Sequence, residues 1–219
     1  TICNEYKKRT GIEIINLPPL IPFTNTNDSK NNLRKKYNLN ESDKIFLYVG
    51  SLKNLKRPEV ILESFRELGK DYLKKHKVLV IFLGDGPLKN ELMSYCRKES
   101  LERFFIFKGN IPREKINEYY KLSDYYIIPS DYEGTPISML EAMNNQLPII
   151  ASNVRGINNI INGHNGILFD NNDTKSLSLA INKLMTDLDY SELLSQEATR
   201  YFNDNFSYQN FVDNYKKLI

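Results

Sequence analysis

The sequence predicts an α/β fold, namely a doubly wound parallel sheet followed by a C-terminal helical tail. Short apolar runs alternate with helical patterns over most of the chain, as expected of parallel strands joined by crossover helices. The runs are continuous instead of alternating with polar residues, which is typical of strands buried on both faces. After Phe169 only helical patterns follow, and these predict the tail.

The predicted strands are short runs rich in β-branched, aromatic and other large apolar residues. They cover residues 12–17, 45–49, 78–83, 104–107, 125–128, 149–151 and 166–169. The predicted helices have apolar residues three and four positions apart. They cover 58–68, 88–99, 113–122, 136–144 and 157–161, with tail helices at 174–185, 190–203 and 207–218. We expect one domain with helices on both faces of its sheet.

The first part of the chain lacks a comparable pattern. Residues 18–32 contain several prolines and a run of Asn, Thr, Ser and Asp, which predicts a linker or loop. The chain starts at Thr1 without the basic and apolar segments of a signal peptide, which favours a fragment of a longer protein. We therefore expect residues 1–22 to be a linker or the remnant of a missing domain, and residues 23–219 to form the α/β domain.

Composition excludes several classes of protein. With 41% hydrophobic and 26% charged residues, the 219-residue chain is typical of a globular protein, and no apolar run approaches the roughly 18 residues of a membrane span. A net charge of +3 is too small to indicate nucleic acid as a partner. Cys3 and Cys96 have no metal-binding spacing, and only His76 and His164 could join them, which argues against zinc and for a reducing, cytoplasmic setting.

Ligands of open parallel sheets bind at the carboxyl ends of the strands, so the loops that follow the strands are the candidate site. The loop 129–136 lies between a predicted strand and a predicted helix, with Thr135 as the expected N-cap and Pro136 as the first helical residue. The free N–H groups and positive dipole of a helix start attract anions, and Gly134 allows the backbone to approach a ligand. An ordinary loop with a good cap is the alternative.

Two carboxylates and a group of cations accompany this loop. Glu133 lies in it, and Glu141 lies in the following helix among apolar residues, where a charge needs a partner. The two oxygens of Glu141 are suited to the vicinal diol of a ribose, while an exposed glutamate or one paired with a lysine is the alternative. The loop 50–57 carries three cations suited to a diphosphate, although charges in loops are usually solvated.

Together these segments resemble the donor-binding domain of retaining GT-B glycosyltransferases, specifically the glycosyl transferase group 1 family. The resemblance rests on IPSDYEG at 128–134, LEAM at 140–143, LPIIASN at 147–153 and NGILF at 165–169. VGSL at 49–52 followed by Lys56, GDGP at 84–87 and FKG at 107–109 agree in order and spacing. It covers roughly residues 12–219 and implies a Rossmann-like fold, the C-terminal half of a GT-B enzyme.

The resemblance implies a role for each matching residue. Glu133 and Glu141 match the two glutamates of the family's E-x7-E signature, so Glu133 is expected to face the donor sugar at the reacting centre and Glu141 to hold the ribose. Lys56 matches the lysine that contacts the diphosphate, and we expect Glu133 and Lys56 to be the catalytic residues. The further donor-binding positions that it implies are Gly50, Ser51, Asn110, Ile111, Gly134, Thr135, Pro136 and Ile137.

Within that set, Asn110 and Ile111 are expected to border the nucleobase, and the backbone of 134–137 is expected to approach the sugar and phosphates. Two departures from the family pattern concern the diphosphate and the sugar. Many members have arginine where this chain has Ser51, so neutralisation of the diphosphate is expected to depend more heavily on Lys56 or to be shared with Lys53 or Arg57. The family loop often reads EGFG, whereas this one reads EGTP, which affects sugar choice.

The function implied is sugar transfer from a nucleotide diphosphate donor, with UDP expected, to a hydroxyl acceptor with retention of anomeric configuration. The expected setting is bacterial surface polysaccharide synthesis at the cytoplasmic side of the membrane, reached through a missing N-terminal acceptor domain. The acceptor is a saccharide or a lipid-linked saccharide, and no cofactor, metal or nucleic acid is expected. Without the acceptor domain, this chain is expected to bind the donor but not to transfer sugar.

Other interpretations compete with this one. GDGPLK at 84–89 begins like the G-x-G-x-x-G fingerprint of dinucleotide-binding oxidoreductases, but Lys89 replaces the last glycine. The D-x-D string at 187–189 could hold a metal, although its place between two helices favours a solvated helix end. The aromatic residues of 201–215 could stack on bases, but their helical spacing favours packing. A non-catalytic nucleotide-sugar or carbohydrate-binding module is the alternative function.

Overall fold

The computed structural model describes residues 8–11, 19, 21 and 28–216. Within these residues the chain forms one sheet of six parallel strands in the order β3-β2-β1-β4-β5-β6. The strands are β1 (Lys44–Val49), β2 (Val78–Leu83), β3 (Phe105–Gly109), β4 (Tyr125–Ile128), β5 (Ile149–Ser152) and β6 (Ile167–Phe169). The predicted parallel sheet is thereby confirmed, while the strand predicted at 12–17 and the expected domain boundary at 22 lie outside the described residues.

Helices cover both faces of the sheet. They are α1 (Lys30–Lys36), α2 (Pro58–Leu68), α3 (Lys70–Lys75), α4 (Lys89–Lys98), α5 (Arg113–Leu122), α6 (Ile137–Asn144), α7 (Thr174–Thr186), α8 (Leu188–Phe206) and α9 (Tyr208–Lys216). One apolar core joins α2, α3, α4 and α7 to one face of the sheet, and the other joins α1, α5 and α6 to the opposite face. Because both faces are covered, all six residues of β2 are buried, which explains the continuous apolar runs.

The strand order reverses between β1 and β4. Strands β2 and β3 lie on one side of β1, while β5 and β6 lie on the other side of β4. The crossover connections therefore leave the sheet in opposite directions at this point, and a crevice opens at the carboxyl ends of β1 and β4. The two loops that follow these strands, 50–57 and 129–136, are the loops that the sequence marks as the candidate site.

Helix α1 was not expected, and its first three residues lie in the segment 18–32, which was predicted as a linker or loop. Ser29 caps it by accepting a hydrogen bond from the Asn32 N–H, and Leu33 is fully buried. Arg34 is buried as well, where it donates to the Leu122 carbonyl and forms an ion pair with Asp124 at 2.7 Å. Since these partners come from distant parts of the chain, tertiary contacts decide this helix and the linker prediction is wrong for residues 30–32.

The helix predicted at 157–161 is also wrong, because hydrogen-bonded turns replace it. Gly156 precedes it with φ +94°, outside the helical region, and the Asn165 side chain donates to the Ile160 carbonyl, closing the turn. Ile157 and Ile161 are fully buried, so their spacing reflects packing against the core. The short helix α3 was also not predicted; it buries Leu73 completely.

The helical tail is confirmed. Phe202 of α8 is fully buried, whereas none of the residues of α9 is buried and Tyr208 and Tyr215 are exposed. The packing expected for the aromatic residues thus holds for the first part of the tail only. The Asp187 side chain accepts a hydrogen bond from the Tyr190 N–H, so the D-x-D string begins with a helix cap. Among the described residues, no helix combines the length and apolarity needed to cross a membrane.

Candidate functional site

Three loops at the carboxyl edge of the sheet are joined by hydrogen bonds. The Asp131 N–H, in the loop after β4, donates to the Leu55 carbonyl in the loop after β1 at 3.0 Å. The Ser152 hydroxyl, at the end of β5, donates to the Ser130 carbonyl at 2.6 Å. These bonds hold the loop 129–136 between its two neighbours. The side chains of residues distant in sequence are thereby placed at one crevice.

The loop after β1 is shaped by its own contacts. The buried Tyr48 hydroxyl donates to the Ser51 carbonyl at 3.0 Å, and burial together with the nearby Glu133 charge raises the pKa of this tyrosine, so it stays a donor. A 3-10 turn over Asn54–Lys56 follows and ends at Arg57, which has φ +50°. Lys56 therefore lies at the end of a tight turn.

The GDGP turn at 84–87 packs against the backbone of the loop after β1. A Cβ atom on Gly84 would lie 2.0 Å from the Gly50 carbonyl oxygen, and one on Gly86 would lie 2.3 Å from the Leu52 carbonyl oxygen. Only glycine allows this close approach. Lys89 forms an ion pair with Asp85 at 2.6 Å and lowers the pKa of that carboxyl. Packing thus accounts for the two glycines that resemble a dinucleotide fingerprint.

Helix α6 begins one residue later than predicted. Pro136 is the cap residue rather than the first helical residue, and Thr135 is exposed, so the expectation that Thr135 caps the helix is wrong. The N–H groups of Met139 and Leu140 donate to the Pro136 carbonyl. The N–H groups of Ile137 and Ser138 belong to the first turn, where no preceding helical carbonyl exists to receive them. The start of α6 is therefore still suited to an anion.

A cavity of about 280 Å³ lies between these loops and helices α5 and α6. Its lining contains seven of the predicted site residues, namely Gly50, Lys56, Glu133, Thr135, Pro136, Ile137 and Glu141. It also contains residues that were not predicted to bind the donor, namely Tyr48, Val49, Arg113, Ile116, Ile128, Ser130 and Ser138. The lining combines apolar side chains, such as Val49 and Ile116, with acidic and basic ones. The cavity therefore offers both apolar contacts and groups that recognise charge.

Lys56 and Glu133 form an ion pair in this cavity. The Lys56 Nζ atom lies 2.6 Å from Glu133 Oε1, and the Ser130 hydroxyl donates to the same oxygen at 2.7 Å. The side chains of Lys56 and Glu133 are only 24% and 11% exposed. The sequence resemblance gives them separate ligands, a diphosphate and a sugar, whereas here each is the counterion of the other.

Glu141 has a partner on each oxygen. Arg113 donates to Oε1 at 2.6 Å and Tyr120 donates to Oε2 at 2.9 Å. The alternative for Glu141 was an exposed glutamate or one paired with a lysine. The structure shows an ion pair, but its partner is Arg113 and not a lysine. Arg113 is the first residue of α5 and follows the predicted position Asn110 by three residues. The sequence analysis did not identify Arg113 as a site residue. A helix N-terminus usually favours acidic residues, and a cation there does not by itself indicate a binding site.

Four predicted residues lie outside the cavity lining. Ser51 and Gly134 neighbour residues that line it, and a Cβ atom on Gly134 would meet no atom within 4 Å. Asn110 is exposed, and Ile111 packs against the apolar core. Their roles stay predictions. Among the described residues, no group of three His, Cys, Asp or Glu side chains could hold a metal ion.

Comparison with known proteins gives one family. Residues 29–201 match the family model described as glycosyl transferases group 1. The chain is 30% identical over 206 residues to the UDP-Gal:alpha-D-GlcNAc-diphosphoundecaprenol alpha-1,3-galactosyltransferase of Escherichia coli. The aligned region covers 93% of this chain and 51% of that protein. The chain spans about half the length of the curated relatives it matches.

Solved structures share the fold. The Anabaena HepE structure in complex with UDP-glucose has a TM-score of 0.77 and 17% identity, and the match covers 89% of this chain and 53% of that one. The C-terminal domain of the LpcC protein from Francisella tularensis has a TM-score of 0.74 and 19% identity, and the match covers 85% of this chain and 97% of that one. The second match extends over nearly all of an isolated C-terminal domain.

Proposed function

The chain belongs to the glycosyl transferases group 1 family, and on this premise we propose that it is the donor-binding half of a retaining glycosyltransferase. Its substrate is a nucleoside diphosphate sugar, with uracil as the base. One observation carries the proposal: Lys56, Glu133, Glu141 and the start of α6 line a single cavity at the point where the strand order reverses. The UDP-sugar named for the Escherichia coli relative supports the choice of base.

The diphosphate and the ribose of the donor each have a counterpart in this cavity. The diphosphate is held by the Lys56 ammonium and the N–H groups at the start of α6. The ribose diol is held by Glu141. Because Lys56 already has Glu133 at 2.6 Å, the diphosphate takes Lys56 as its partner only by displacing or sharing that contact. Where the contact is displaced, the binding of the donor frees the Glu133 carboxylate next to the sugar, where positive charge develops during transfer.

The leaving diphosphate is stabilised by these groups without a divalent metal. The lysine is positively charged and the helix start is the positive end of a dipole. Both stabilise the negative charge that develops on the leaving oxygen. We expect UDP to bind with the same affinity in EDTA and in magnesium or manganese. Titration calorimetry under the three conditions measures this directly, and binding that depends on the metal would contradict the proposal.

The remainder of the enzyme lies in an N-terminal half that supplies the acceptor site. The acceptor is a saccharide or lipid-linked saccharide of a bacterial surface polysaccharide, and transfer occurs at the cytoplasmic side of the membrane. The diphosphoundecaprenol-linked acceptor in the name of the Escherichia coli relative supports this proposal. A screen of UDP-sugars and lipid-linked acceptors with the longer protein tests it, and robust transfer by this chain alone would overturn the assignment of a half-enzyme.

The variant Lys56→Met tests the cavity itself. We expect it to weaken UDP binding by about 1.5–3 kcal/mol, the usual contribution of a hydrogen bond to a charged group. Lys53→Met is the matched control, because Lys53 lies in the same loop but is exposed and does not line the cavity. Calorimetry measures both, with thermal unfolding as a check on folding. Equal losses in the two variants would mean that the loop attracts UDP only through its overall charge.

A further inference from the structure

The buried side of Glu141 is held by a tyrosine. The Tyr120 hydroxyl lies 2.9 Å from Glu141 Oε2 and 3.0 Å from the Ser138 carbonyl oxygen. A hydroxyl has one proton, and an ionised acceptor attracts it more strongly than a neutral carbonyl. Tyr120 is only 1% exposed, and burial together with the neighbouring Tyr126 and Glu141 raises its pKa far above the ordinary value. Tyr120 therefore remains a donor throughout the working range of pH.

The outer side of the same carboxylate is held by an arginine. Arg113 donates to Glu141 Oε1 at 2.6 Å from the start of α5, so the two oxygens have separate donors on the same helix. Each carboxylate oxygen can accept two hydrogen bonds, so each oxygen retains one acceptor position after these contacts. A vicinal diol has two adjacent hydroxyl donors. The two remaining acceptor positions of Glu141 equal the two hydroxyl donors of the diol in number.

We propose that Tyr120 and Arg113 are positioning residues that fix the Glu141 carboxylate for a ribose diol and thereby set the discrimination between ribonucleotides and 2′-deoxyribonucleotides. Neither residue needs to touch the nucleotide for this role. Tyr120 fixes the rotation of the carboxylate from inside the protein, and Arg113 holds its other oxygen from outside. A carboxylate that is already oriented loses little freedom when the diol binds, so both hydroxyl groups contribute to affinity.

The inference rests on the proposed function, and a ratio of affinities tests it separately. The wild-type chain is titrated with UDP and with 2′-deoxy-UDP. We expect it to prefer UDP by on the order of 10-fold to 100-fold, because the deoxynucleotide leaves one charged acceptor unpaired. In Tyr120→Phe the preference should fall roughly 3-fold to 10-fold, while the affinity for 2′-deoxy-UDP stays within about 2-fold of the wild type. A general loss of packing would instead weaken both nucleotides equally.

Tyr126→Phe is the matched control. Tyr126 is also fully buried in this region, but its hydroxyl donates to Ser138 Oγ at 2.7 Å and not to Glu141. It should keep the wild-type preference for UDP. Arg113→Gln provides a second variant at a residue that is 56% exposed, so the fold tolerates it if Tyr120→Phe unfolds, and it should also reduce the preference.

The outcomes separate the two proposals. If the wild type prefers UDP and both Tyr120→Phe and Arg113→Gln keep that preference, the positioning role is overturned while the proposed function stands. If Tyr126→Phe loses the preference as strongly as Tyr120→Phe, the buried network acts as a whole and the specific role of Tyr120 is overturned. If the wild type binds neither nucleotide, the proposed function is overturned together with this inference.

Discussion

Replacing Glu133 with glutamine is expected to lower sugar transfer by the longer protein on the order of 100-fold to 1,000-fold, the usual effect of removing one preorganised electrostatic group. The same change is expected to tighten the binding of bare UDP severalfold. The two effects have opposite signs because the carboxylate acts at different stages. In the proposed mechanism it opposes the diphosphate before the reaction and stabilises developing positive charge during it.

The geometry of the pair is the reason for the tighter binding. Glu133 lies 2.6 Å from Lys56 and is only 11% exposed, so it both occupies the lysine and adds a negative charge at the proposed diphosphate site. Glutamine keeps the shape and hydrogen-bonding capacity of the side chain but removes the charge. Lys56 is then free of an ionised competitor.

Asp131→Asn is the control for a change of charge in the same loop. Asp131 lies 3.8 Å from Arg57 and accepts a hydrogen bond from Asn171, and it does not line the cavity. We expect little change in turnover or UDP affinity for this variant. Turnover and calorimetry are measured for both variants. Unchanged turnover in Glu133→Gln would remove Glu133 from the chemistry, and weaker UDP binding would show that the ion pair does not compete with the nucleotide.

The variant Gly156→Ala is expected to destabilise the fold by about 3 kcal/mol or more and to abolish UDP binding. A Cβ atom at this position would lie 2.0 Å from the Glu133 carbonyl oxygen and 2.6 Å from the Gly134 carbonyl oxygen. Gly156 also has φ +94°, which costs an L-residue about 1–2 kcal/mol. The remainder comes from the clash, because a backbone carbonyl cannot rotate away as a side chain can.

Gly163→Ala separates the two causes. Gly163 has a similar φ of +83°, but a Cβ atom there would meet no atom within 4 Å. It should lose only the cost of the backbone conformation, about 1–2 kcal/mol, and keep UDP binding. Denaturant unfolding gives the free energies, and calorimetry gives the affinities. Equal destabilisation by Gly156→Ala and Gly163→Ala would mean that the loop 129–136 yields to the added atom, so that this glycine does not fix the position of Glu133.

The sequence alone predicted most of the secondary structure. Strands β1, β2 and β4 were located almost to the residue, because a strand buried on both faces is a continuous apolar run that needs no knowledge of its neighbours. Two of the errors have related causes. Helix α1 depends on the burial of Arg34 against Asp124, and the turn at 157–161 depends on Gly156 and on the Asn165 side chain, so in both places distant or side-chain contacts overrule local periodicity.

For the candidate site, too, the sequence identified single residues and the tertiary structure decided their contacts. The motifs identified Lys56, Glu133 and Glu141 as individual residues, and the rule for parallel sheets placed their loops at one edge. The sequence alone therefore determined the fold class and three of the four charged residues that line the crevice, the exception being Arg113. It did not determine their partners: Lys56 pairs with a carboxylate 77 positions away, and Arg113 with one 28 positions away. Only the tertiary structure decided these pairs, since an ion pair depends on the distance between two groups in space, and the periodicity of a short segment carries no record of that distance.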